Sequence, residues 1–151
     1  MKILMLTLIS ILTLNLYAQE VPIPRGADKI IVKNNKTASE NFIAVKQNLA
    51  EKGIEIAKQD KDIFQIKTGI TPITKYGASA YYIIFCQDNQ ISVKGLFNTG
   101  IVINNMMQDT YQQIANRKLG LNKVSFQSMV TLAKSFGSEL LYEGGEAVKA
   151  K

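Results

Sequence analysis

The chain has 151 residues, 46% of them hydrophobic and 20% charged, with a formal net charge of +6. That composition suits one globular domain with a real core. Histidine is absent and cysteine occurs once, which excludes a histidine-based hydrolase triad and removes the commonest metal ligand.

The first eighteen residues read as a secretory signal peptide. Met1-Lys2 gives a short positive start, Ile3 to Leu16 is apolar apart from Thr, Ser and Asn, and Leu16-Tyr17-Ala18 ends on a small residue. Cleavage is expected after Ala18, so that the mature chain begins at Gln19. It would lose Lys2 and no acid, lowering the charge from +6 to +5. The run is too short and wrongly flanked for a stable membrane span. No cysteine follows it, so a bacterial lipoprotein anchor is not expected. The expected location is periplasmic or extracellular, in a bacterium.

Residues 19–28 hold two prolines and a glycine and read as an extended lead-in to a single domain over 29–143. Lys29 to Lys33 is a short strand, closed by Asn34-Asn35. Thr37-Ala38-Ser39-Glu40 is a capping box, which opens a helix to about Lys52 with Phe42, Val45 and Leu49 on one stripe. Gly53 then stops it. Ile54 to Lys58 alternates as a strand, Gln59 to Asp62 turns, and Ile63 to Thr68 returns. Gly69 to Gly77 is a loop.

Ser79 to Phe97 reads as a β-hairpin turning at Asp88-Asn89, so that Cys86 faces Ile91, Ile84 faces Val93 and Tyr82 faces Gly95. Alternation puts Ala80, Tyr82, Ile84, Cys86, Ile91, Val93, Gly95 and Phe97 on one uncharged face. The second strand can continue past Gly100 into Ile101 to Ile103. Residues 104–123 read either as a short amphipathic helix, with Met107, Tyr111, Ile114 and Ala115 on one face, or as a long connection. A clearer helix spans about Ser125 to Phe136, with Phe126, Met129, Val130, Ala133 and Phe136 inward and Gly137 closing it. Glu139 to Tyr142 suits a last short strand, and residues 144–151 are expected to form a disordered tail.

The element order resembles the TBP-like fold, and more narrowly the small exported bacterial domains of unknown function that have it. The resemblance rests on an Ile-Ile-Val first strand (Ile30 to Val32), a capped helix, and a closing helix running into Gly137-Ser138-Glu139-Leu140-Leu141-Tyr142. It implies an α+β class, β-α-β-β-β-β-α, with an antiparallel sheet of about five strands and helices packed on one face. It implies no catalytic residue and no cofactor.

Direct searches for chemistry agree. The glycines make no phosphate loop. Asp60 and Asp62 share one polar turn, where carboxylates are usually solvated, and the oxygen pattern of a calcium loop is missing. Asn35-Lys36-Thr37 matches a glycosylation triplet, but Thr37 is better explained as a helix cap. Cys86, on the core face, reads as a small buried hydrophobe.

The informative feature is the other face of the sheet. Alternation sends Lys29, Ile31, Lys33, Gln65, Lys67, Tyr81, Ile83, Phe85, Ser92 and Lys94 to it, and the mixture is basic and aromatic. Either the chain covers this face itself, through 104–123 or the lead-in, or a partner does. The favoured function is a non-enzymatic binding module using Tyr81, Ile83, Phe85, Lys94 and Lys67. Its partner would be another protein or an acidic envelope component, with no nucleic acid and no metal. The alternative is a carrier of a small apolar ligand held between the sheet and the 126–136 helix, with Met129 as an adaptable wall.

Overall fold

A computed structural model describes residues 22–74, 77–100 and 110–145, with the backbone at 102–103 and 106–107. The signal-peptide reading of 1–18, the first part of the lead-in and the tail beyond 145 lie outside the described residues.

The sheet is built on the hairpin of β5 (Ser79–Gln87) and β6 (Gln90–Asn98). Its register is the one the alternation gives: Cys86 opposite Ile91, Ile84 opposite Val93, Tyr82 opposite Gly95 and Ala80 opposite Phe97. All eight residues of that face are buried. The two-residue turn places Asn89 at φ 63°, a left-handed conformation that asparagine tolerates.

Outward from the hairpin, β1 (Lys29–Lys33) pairs with β6, and β10 (Leu140–Glu143) pairs with β1. On the other side, β3 (Gln65–Thr68) pairs with β5, and β2 (Ile56–Asp60) pairs with β3. The order is β10-β1-β6-β5-β3-β2, all antiparallel. This path has six strands where about five were expected, because the last segment joins the sheet at β1. Two-residue strands β4 (Thr71–Pro72) and β9 (Gln112–Gln113) prolong the lines of β3 and β1 along the far halves of β5 and β6.

Both helices pack on one face. α1 (Ala38–Glu51) begins at the Thr37 capping box and buries Phe42, Val45 and Leu49. The Thr37 backbone N–H donates to the Glu40 carboxylate at 2.8 Å, and this bond holds the Glu40 pKa below its ordinary value. A second cap comes from the hairpin turn, where Asp88 Oδ1 accepts from the Ala38 N–H at 2.7 Å. Beside it, buried Asn41 donates through Nδ2 to the Gln87 carbonyl at 2.8 Å. Helix and hairpin are thus tied by polar contacts as well as by burial. α2 (Gly120–Lys134) buries Phe126, Met129, Leu132 and Ala133. It starts five residues earlier than Ser125, because Leu121 also packs against the core and extends the apolar contact by a turn.

Three expectations need correction. Val102–Ile103 (β7) does not prolong β6 but pairs with Met106–Met107 (β8) in a separate ribbon. Of the two readings of the segment before α2, the helix fails and the extended connection stands where the chain is described: Ile114 is fully buried while Tyr111 meets Tyr81 on the opposite side of the sheet. A spacing of three along extended chain gives opposite faces, whereas in a helix it would give one. Finally, the β2–β3 turn occupies Lys61 to Phe64, so β3 begins at Gln65, not Ile63.

Candidate functional site

Because the strands are in fixed register, outer-face side chains line up in rows running across the sheet. The central row is Glu143, Lys29, Lys94, Ile83, Lys67, Lys58, one residue from each strand from β10 to β2. With neighbouring strands about 4.8 Å apart, Lys94 and Lys67 flank Ile83 at a separation of roughly 10 Å. The next row is Leu141, Ile31, Ser92, Phe85, Gln65, Asp60. Nearest the hairpin turn, Lys33 Nζ donates to Gln90 Oε1 at 2.6 Å, and Gln90 Nε2 donates to Gln87 Oε1 at 2.8 Å.

The expected site residues therefore share one surface. Ile83, Lys94 and Lys67 stand side by side in one row, and Phe85 and Tyr81 lie two residues to either side of Ile83 on β5. Lys94 is exposed; Tyr81, Ile83, Phe85 and Lys67 are half-buried. Tyr81 is already engaged, with Lys67 Nζ 4.2 Å from its ring centre and the Tyr111 ring at 5.1 Å. The chain thus covers the Tyr81 end of the face in part. Ile31 and Ser92, on the same face, are buried.

Two members escaped the sequence reading. Lys58 follows Ile56 by two residues, so alternation assigns it to the core face. A register shift between Ile56 and Lys58 reverses this: Ile56 pairs with buried Thr68, while Lys58 pairs with outward Lys67. Tyr111 was placed on a helical stripe that does not form. Neither change has a signal in the local sequence.

A cleft of about 290 Å³ opens on this surface, lined by Lys58, Gln59, Asp60, Gln65, Lys67 and Ile83. Lys94, Lys67 and Lys58 have no carboxylate within ion-pair distance among the described residues, whereas Lys29 meets Glu143 at 2.7 Å. Asp60 Oδ1 accepts from the Asp62 backbone N–H at 3.0 Å, an arrangement that closes the turn.

The interior offers little chemistry. Burial pushes the Cys86 thiol up to about 12, so it is protonated and a poor nucleophile. Burial also raises the Tyr82 phenol, against the opposing effect of its 2.9 Å hydrogen bond to Ser128 Oγ. No group of three metal-ligating side chains occurs among the described residues. Nor is any helix there long and apolar enough to cross a membrane. At Gly95 the space between the sheet and α2 is filled: a methyl there would lie 2.6 Å from Ile114 Cδ1, 3.0 Å from Tyr82 Cδ1 and 3.3 Å from Met129 Sδ.

The sheet order and the one-sided helices define an α+β domain that resembles the TBP-like fold. A crystal structure of a TBP-like protein from Parabacteroides distasonis is similar to this chain at 12% identity and a TM-score of 0.38, covering 70% of this chain and 90% of that one. No protein-family model and no curated protein matches the sequence.

Proposed function

We propose that this protein is a non-enzymatic, exported binding module whose outer sheet face docks a partner. The observation that carries the reading is the central row of the face, where Lys94, Lys67 and Lys58 meet no carboxylate among the described residues and stand beside half-buried Ile83, Phe85 and Tyr81. Large side chains at a polar-rimmed patch supply contact area at low cost in lost freedom, and uncompensated lysines favour an acidic partner. The packing of Met129, Tyr82 and Ile114 over Gly95 favours this reading over a ligand carrier, which needs space there. Export rests on the apolar start of the sequence and its Ala18 junction.

The test is comparative capture from the envelope of the native bacterium, with the wild-type protein and Tyr81→Ala/Phe85→Ala as baits. The same bound proteins should be lost from the double variant, and also from Lys94→Glu, while both variants keep the wild-type melting temperature within a few degrees. Retention of the same set by both folded variants would remove the outer face as the site. An intact mass beginning at Gln19 is the expected result for export, and a retained Met1 would overturn it.

A further inference from the structure

We infer that the basic row of the outer face binds an acidic polypeptide segment presenting an apolar side chain between two carboxylates. This deepens the proposed function and rests on the outer-face reading. The argument is charge complementarity along the row. Lys29 stands directly opposite Lys94, and Lys67 directly opposite Lys58, and like charges so placed on neighbouring strands repel. Among the described residues one of these four lysines, Lys29, meets a carboxylate, that of Glu143 at the end of the row. Of the remaining three, Lys94 and Lys67 flank Ile83 and Lys58 lies one strand further out, and Lys67 and Lys58 line the outer cleft with Ile83. A carboxylate at Lys94 and another between Lys67 and Lys58 would relieve both repulsions, with an apolar side chain resting on Ile83.

The chemistry favours carboxylates on a polypeptide over phosphates on a nucleic acid. Stacking of successive bases needs several open aromatic faces, and of the two outer-face rings on β5 Tyr81 is engaged by Lys67 and Tyr111, which leaves Phe85 alone. Arginine, whose fork matches phosphate in two parallel bonds, is absent from the row; Arg25 and Arg117 lie in the lead-in and in the segment before α2. The adjoining edge strand β2 is interrupted by its register shift and carries Lys58 and Asp60. Such edges resist addition of a further strand, so the segment lies across the face and does not extend the sheet.

The experiment is fluorescence anisotropy of the purified protein with a labelled peptide of three Glu-Ser-Leu-Ser repeats. The controls are the Gln-Ser-Leu-Ser peptide, oligothymidylate and phosphatidylglycerol vesicles. The glutamate peptide should bind and the glutamine peptide should not. Replacing Lys58 and Lys67 by Gln should weaken binding roughly five- to tenfold, the effect of losing two solvent-screened charge contacts. Added salt should weaken wild-type binding. Unchanged binding by Lys58→Gln/Lys67→Gln and by Lys94→Gln would overturn the inference, as would tighter binding of the oligonucleotide or the vesicles. If those lysine variants bind the peptide normally but Tyr81→Ala/Phe85→Ala still loses its captured partners, the face is the site and the acidic segment is wrong. If the captured set is also unchanged, both readings fail.

Discussion

Ile83 and Ile84 are consecutive in β5 and lie on opposite faces of the sheet: Ile84 is fully buried under α1, while Ile83 faces outward between Lys94 and Lys67. Serine at Ile84 buries a hydroxyl and leaves a void, so it should cost about 3–5 kcal/mol. Serine at half-buried Ile83 should cost about 1 kcal/mol or less. Urea denaturation of the two variants checks this. Equal losses would mean that the chain itself seals the outer face.

Gly95 allows Ile114, Tyr82 and Met129 to close over the sheet. Gly95→Ala should destabilise the protein by about 1–3 kcal/mol through overpacking, more than the gain from a stiffer backbone. Ile114→Val removes the methyl that the new one meets. It should cost less in the Gly95→Ala background than in the wild type, a coupling that a double-mutant cycle measures. Additive losses would show that the two groups do not compete for space.

Asp88 holds the start of α1 from the hairpin turn, with Oδ1 2.7 Å from the Ala38 nitrogen. Asp88→Ala should cost about 1 kcal/mol, the usual worth of a capping hydrogen bond. Because Thr37 caps the same turn through the Glu40 N–H at 3.3 Å, Thr37→Ala should cost more in the Asp88→Ala background than alone. Chemical denaturation of the cycle gives both values. A neutral Asp88→Ala would mean that water replaces the contact without loss.

Cys86 titrates differently in the folded and unfolded chains. Burial lifts its pKa from 9.0 to about 12. Below pH 9 the thiol is protonated in both states and its contribution is fully present. Between about pH 9 and 12 the unfolded chain releases the proton and the folded chain does not, so stability falls as pH rises. Stability should therefore decline less between pH 8 and about pH 10.5 in Cys86→Ala than in the wild type, since the alkaline loss from this thiol is gone. Native thiol should also resist alkylation until the protein unfolds. Parallel pH slopes would place the thiol in contact with solvent.

What the sequence determined by itself is whatever rests on local periodicity and turn chemistry. Asp88-Asn89 and the alternation around it set the β5–β6 register, and therefore which side of Ile83 and Ile84 is core. Thr37 and Glu40 set the start of α1, and Gly53, at φ 66°, lies just past its C-cap. In each case the interacting groups are neighbours in the chain, so their spacing alone selects the geometry.

Tertiary structure decided what depends on pairing between distant segments. Ile114 enters the core through its backbone bond to Gly95 and not through a helical stripe. Lys58 faces outward because β2 slips by one residue against β3, and a slip of one exchanges the faces. Lys29 meets Glu143 across 114 positions of sequence. The basic row is therefore invisible in any window of the chain: each strand supplies one member, and only the register of the assembled sheet brings Lys29, Lys94, Lys67 and Lys58 into line around Ile83.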